Sequence, residues 1–293
     1  MGFLSTLFGG KELSPEEQKQ EQEAKQFDLM KYDGVRALKM GQADYAIRCF
    51  NEALKVRDDL ETRDYLSQAL IASGQLDSAL GELQGLSAAE PSNQAIMLRM
   101  AHVAYMLEDY VLMAETCARA QAIDDRVPQV YYLYAQAYNG QGDRVGAIAM
   151  LTKAIALQED YGEAYLLRAQ TLLQTGDATS ADKDAEWLQD NVGDHEDVLL
   201  LKARIEAARG AVEQALEQYG RVIDVNPFAI EAYRERGKLR FDSGDKNGAS
   251  EDLQKVLELD PNLLADVSGE YSAEGIEEHV RRAYSALNPF GLP

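Results

Sequence analysis

Three histidines, two cysteines and a large excess of carboxylates are the groups through which this chain of 293 residues could do chemistry. His102, His195 and His279 stand far apart, and none is spaced with a cysteine or carboxylate as metal ligands require. Cys49 and Cys117 are too few for a disulfide framework and read as small buried hydrophobes in a reducing compartment. The nearest approach to a phosphate loop is Gly140-Gln141-Gly142-Asp143-Arg144-Val145-Gly146, which fits neither the dinucleotide nor the P-loop spacing. Carboxylate pairs are so frequent at this composition that their proximity in sequence carries no acid–base argument. No catalytic constellation, metal site or cofactor site emerges, and a non-enzyme is expected.

Charge narrows the partners. Lys plus Arg number 29 against 50 Asp plus Glu, a formal net charge of -21. A field of that sign repels phosphate backbones, so nucleic acid is not expected as a partner. No apolar run approaches the length of a membrane-spanning helix. The first ten residues lack a basic segment and make a poor secretory signal. Gly2 followed by Thr6 matches the loose myristoylation pattern, with bulky Phe3 against it. A cytoplasmic location is the expectation.

The elements that must carry any site declare themselves by repetition. Gly41, Gly74, Glu108, Gly142, Gly176, Gly210 and Gly244 follow one another at steps of 33 or 34 residues. Seven residues before each mark stands a small residue: Gly34, Ser67, Ala101, Ala135, Ala169, Ala203 or Gly237. Five after each mark come Ala46, Ala79, Met113, Ala147, Ala181, Ala215 and Ala249. A period of this size means stacked supersecondary units. Each unit reads as two helices. In the fourth, Tyr131, Tyr134, Ala135 and Tyr138 share a helical stripe, Gly142-Asp143 interrupts, and Ala147, Leu151 and Ala154 form the next stripe. Glycine at the interruption suits a left-handed helix end. Small residues on both helices let the backbones approach closely. Ser14-Pro15-Glu16-Glu17 is a capping box with proline at the first helical position, so a helix starts there and runs into the first unit.

This pattern resembles the tetratricopeptide repeat family. Unit four (Tyr131, Ala135, Tyr138, Gly142, Ala147, Leu151, Ala154) and unit seven (Tyr233, Gly237, Gly244, Ala249, Leu253, Pro261) match best, and unit three departs at Glu108 and Met113. The resemblance implies an all-α, right-handed α-solenoid of antiparallel helix pairs. Seven repeats are expected at about 27–59, 60–93, 94–127, 128–161, 162–195, 196–229 and 230–262, within an array spanning 14–262. Residues 1–13 form an apolar leading segment. Residues 263–293 hold a capping helix over 272–287 and a tail; Ile276, Val280, Ala283, Tyr284 and Leu287 share its stripe.

The resemblance also implies where a partner sits, since in that family the first helices line a concave groove. The carried-over positions run from Lys31, Val35 and Lys39 through Asp64, Gln68 and Ile71 to Leu98, His102 and Tyr105. They continue with Tyr132, Gln136 and Asn139, then Leu166, Gln170 and Leu173, then Leu200, Arg204 and Ala207, and end at Arg234, Lys238 and Phe241. His102, Tyr105, Tyr132, Gln136, Asn139 and Gln170 are candidates for a peptide contact, and Arg204, Arg234 and Lys238 for an acidic group. The alternatives are that the neutral groups pack against neighbouring repeats and that Asp197, Glu231, Glu235 and Asp242 neutralise the cations. The family's clamp for chaperone C-termini is absent from the first three repeats, where Val35 and Tyr65 stand in place of its asparagines. The expected function is a non-catalytic scaffold binding a peptide or partner protein. The competing reading is a peripheral membrane-associated assembly factor using Phe3, Leu4, Leu7 and Phe8.

Overall fold

The computed structural model describes residues 14–261. The leading segment with Gly2, Phe3, Leu4, Leu7 and Phe8, the capping helix over 272–287, His279 and the tail lie outside the described residues. Two compact units divide after Asp125.

The first unit holds three helix pairs: α1 (Pro15–Lys39) with α2 (Ala43–Val56), α3 (Leu60–Ala72) with α4 (Leu76–Ala89), and α5 (Gln94–Met106) with α6 (Tyr110–Ile123). The second holds four: α7 (Pro128–Gly140) with α8 (Arg144–Leu157), α9 (Gly162–Gln174) with α10 (Ala178–Val192), α11 (Glu196–Ala208) with α12 (Val212–Val225), and α13 (Ile230–Asp242) with α14 (Lys246–Leu259). There is no strand among the described residues, and each helix packs on its successor within its unit. The fold is an all-α helical-repeat solenoid. No helix among the described residues is long and apolar enough to cross a membrane.

Every turn inside a pair is built alike. Gly41, Gly74, Gly142, Gly176, Gly210 and Gly244 all take positive φ, between 72° and 92°, and Glu108 takes 57°. The turn bonds repeat too: Gly142 N–H donates to the Asn139 carbonyl at 3.0 Å and Asp143 N–H to the Tyr138 carbonyl at 2.9 Å, closing the orphaned end of α7. The following residue caps the next helix where it is aspartate. Asp109, Asp143, Asp177 and Asp245 each accept from a backbone N–H three residues on, at 2.9–3.0 Å.

Between paired helices the small positions are sealed. Ala135, Ala169 and Ala203 on the first helices, and Ala147, Ala181 and Ala215 on the second, are fully buried. At Gly34 a Cβ would come within 2.5 Å of the Phe50 ring, so α1 and α2 need glycine there. Both cysteines are free and buried, as their stripe positions require. Trp187 stacks on Tyr165 with ring centroids 3.9 Å apart. The Ser14–Glu17 capping box is present, and residues 14–26 are exposed on every side before α1 enters the core at Phe27.

The turns give a paired test. A Cβ on Gly142 would meet nothing within 4 Å, so Gly142→Ala carries only the left-handed backbone cost. It should destabilise by about 1 kcal/mol. Glu108→Gly removes the same strain at an equivalent turn and should stabilise by up to about 1 kcal/mol, less the backbone entropy of glycine. Denaturant midpoints that move the same way for both substitutions would contradict this account of the turns.

Candidate functional site

In the first unit the exposed side of α5 presents His102 and Tyr105, both open to solvent. The Tyr105 ring meets Tyr110 edge-on at 6.4 Å, which holds it upright. Arg99, one turn before, reaches across to Asp64 on α3, so the single charged side chain of α5 is neutralised by its neighbour. The helix therefore offers an uncharged stripe.

At the start of that unit Lys31 is bound to Asp59 at 2.9 Å and to Glu61 at 2.6 Å. Burial alone would lower its pKa, but the bonds to Glu61 and Asp59 outweigh burial and raise it. Asp59 is also the cap of α3, accepting from the backbone N–H of Thr62 at 2.9 Å and its hydroxyl at 2.6 Å. Burial pulls its pKa up, yet the Thr62 and Lys31 bonds bring it down to about 2. Lys31 is a joint between α1 and α3.

In the second unit α7 carries Tyr132, Gln136 and Asn139, and α9 carries Gln170, all half-buried. Tyr132 leans on Tyr161, with ring centroids 5.4 Å apart. Burial pushes the Tyr161 hydroxyl up to about 12, so it stays a neutral donor at physiological pH. Gln136 and Gln170 have no hydrogen-bond partner among the described residues. Asn139 differs. Its amide nitrogen donates to Thr171 Oγ1 at 3.0 Å, fastening α7 to α9. Its Oδ1 is buried without a partner.

The basic residues divide. Arg204 on α11 binds Glu235 through Nε at 2.9 Å and through Nη2 at 2.7 Å, and Glu231 at 2.9 Å. Tyr219 donates to the same Glu235 at 3.0 Å. Burial works against the charge on Arg204, but Glu235 and Glu231 hold its pKa above the ordinary arginine value. Burial, reinforced by Glu235, likewise raises that of Tyr219. Lys238 pairs with Asp242 at 2.8 Å. The acidic neighbours thus neutralise Arg204 and Lys238, while Asp197 lies beside His195 at 3.7 Å instead. Arg234 makes no ion pair among the described residues.

Sequence reading missed the buried ion pairs inside single repeats. Arg168 grips Asp184 at 2.6 and 2.8 Å, and Arg236 grips Asp252 at 2.6 and 3.1 Å. Asp184 and Asp252 are 4% and 2% exposed. The signal was present: Arg236 and Asp252 stand two repeats after Arg168 and Asp184. Among the described residues no group of His, Cys, Asp or Glu is gathered to hold a metal ion.

Two outcomes follow from these bonds. Arg204→Met strands Glu235 in a site where its side chain is 10% exposed, and should cost about 3 kcal/mol of stability. A denaturant midpoint unmoved by Arg204→Met would return Arg204 to the list of free cations. The depressed Asp59 pKa supplies stability present above its ordinary value of 3.8 and lost as pH falls through about 2. That contribution is roughly 2 kcal/mol. Asp59→Asn should flatten this part of the acid limb of a stability–pH profile.

The sequence model of the tetratricopeptide repeat family matches residues 132–191 and 200–263. Tetratricopeptide repeat protein 36 of Bos taurus is 41% identical over 61 residues, 21% of this chain. The chain spans about a third of that relative, 32% of its length. Among solved structures, a tetratricopeptide repeat protein from Parabacteroides merdae superposes with a TM-score of 0.71 at 14% identity, covering 89% of this chain and 99% of the other. The type IV pilus biogenesis factor PilW superposes at 0.63 and 15% identity, covering 75% and 98%. The pilF protein of Pseudomonas aeruginosa does so at 0.59 and 15%, covering 74% and 99%. At these identities the structures share the fold.

Proposed function

We propose that the chain is a tetratricopeptide repeat protein, of a family whose members generally mediate protein–protein interactions, and that it is a non-catalytic scaffold holding a peptide segment or partner protein along its first helices. The observation that carries the reading is α7. In a chain of net charge -21, this helix of 13 residues has no charged side chain and four tyrosines. Tyr132 and Gln136 there, with Gln170 on α9, combine apolar area with amide and hydroxyl groups. Such groups bond an extended backbone while their apolar parts cover side chains. Tyrosine supplies contact area at low entropic cost and is enriched among residues that dominate binding energy.

His102 and Tyr105 give the first unit a smaller surface of the same chemistry. Asn139 supports the second from beneath through Thr171. Arg234 adds a cation without an acidic partner among the described residues, suited to an acidic group on the ligand. Two free buried thiols fit a reducing compartment, so we place the scaffold in the cytoplasm.

Panning a displayed peptide library on the full chain supplies ligands whose affinity can then be titrated by fluorescence anisotropy. Combining Tyr132→Ala, Gln136→Ala and Gln170→Ala should weaken the selected peptides by about tenfold or more, at unchanged helicity. Lys153→Ala, an exposed change on α8, should leave affinity alone. Unchanged binding in the triple variant would move the site off the first helices of the second unit.

A further inference from the structure

Four side chains of the second unit form one row. Tyr132, Leu166, Leu200 and Arg234 each hold the fifth position of their helix, on α7, α9, α11 and α13, one repeat apart. All four are half-buried; Leu166 and Leu200 pack on the cores beneath them and keep part of their surface outward. A turn further along each helix runs a second row: Gln136, Gln170, Arg204 and Lys238. Arg204 and Lys238 are bound to Glu235 and Asp242, whereas Gln136 and Gln170 have no hydrogen-bond partner among the described residues. Neither row holds a carboxylate. The first row therefore reads aromatic, aliphatic, aliphatic, cation, and its cation, Arg234, makes no ion pair among the described residues.

Helix packing sets the step of the row. Asn139 bonds Thr171 between α7 and α9, and Arg204 bonds Glu235 between α11 and α13. Leu172 and Leu173 of α9 share a core with Val198 and Leu201 of α11. Helices packed directly on one another stand about 8–10 Å apart. A bound β-strand returns a side chain to the same face every ~6.6 Å, and an α-helix every ~5.4 Å. A polyproline II segment does so every three residues, about 9.3 Å. Only that conformation matches the row step for step.

The chemistry of the two rows agrees with the spacing. Polyproline II has no internal hydrogen bonds, so its carbonyls are open to amide donors such as those of Gln136 and Gln170. Proline-rich segments dock on flat aromatic surfaces, and the Tyr132 ring leaning on Tyr161 supplies one. Taking the first helices as the partner surface proposed above, we infer that the row receives a proline-rich segment in the polyproline II conformation. An apolar side chain at every third residue sits over Tyr132, Leu166 and Leu200, and a carboxylate one turn further meets Arg234. That charge-assisted contact fixes the register, since the three apolar steps alone would allow sliding.

Synthetic peptides titrated against the full chain by fluorescence anisotropy test this. The probe carries leucine at every third position for three turns, prolines between, and aspartate at the next third position; its reversed sequence covers the opposite chain direction. One of the two should bind. Moving its leucines to every second position, at unchanged composition, should weaken binding by about tenfold. Replacing its aspartate by asparagine should weaken binding by about tenfold, and Arg234→Gln should do the same at unchanged helicity. The two changes together should cost no more than either, because they remove one contact. Affinity blind to leucine spacing, additive losses for aspartate and Arg234, or failure of both directions to bind would each overturn the inference. Library-selected peptides that still depend on Tyr132, Gln136 and Gln170 would then leave the scaffold reading standing while this one falls.

Discussion

Each repeat depends on one backbone event: a single residue entering the left-handed region at the end of its first helix. That residue reverses the chain in three or four positions and lets the second helix return along the first. The reversal works only if the returning helix can come close, which explains why a small residue stands near the middle of each first helix and another near the start of almost every second helix. Gly34 shows the tolerance, because a methyl group there would collide with the Phe50 ring. Turn and small positions are therefore one constraint, and the period of the sequence is its signature.

Within that frame, charge is disposed of locally. Arg168 with Asp184 and Arg236 with Asp252 join helices inside a repeat, while Arg99 with Asp64 and Arg204 with Glu235 join one first helix to another. Taking one partner from a buried pair leaves a charge without water or counter-ion, so these pairs fix the side chains that make them. Of the three cations the sequence offers as ligand candidates, Arg204 is part of the frame, Lys238 pairs with Asp242 on its own helix, and Arg234 makes no ion pair among the described residues.

This separates what the sequence made legible from what it hid. The helix pairs, the seven turns, the exposed opening of α1 and the buried thiols all follow from local rules or from the period, and each was readable. At Glu108, where unit three departs from the pattern, the φ of 57° shows that the turn takes the left-handed region all the same. The role of Asn139 was not readable. Its partner Thr171 lies 32 residues on, and whether two side chains a repeat apart point at one another depends on the stacking of α7 on α9. Arg204 was half readable: its acidic neighbours were evident, but the choice of Glu235 over Asp197 came from which faces of α11 and α13 meet.

A linear array also relieves a conflict that a closed core imposes on a binding protein. In a repeat the residues that hold the fold occupy fixed positions: the turn, the two small sites and the buried ion pairs. Tyr132, Gln136 and Gln170 occupy none of them. Gln136 and Gln170 strand no buried charge when they change identity, whereas Tyr132 also packs on Tyr161 and on the core around Leu151. The neutrality of α7 then acquires a physical meaning. A helix without charge presents amides and rings, which lose less on desolvation than carboxylates would.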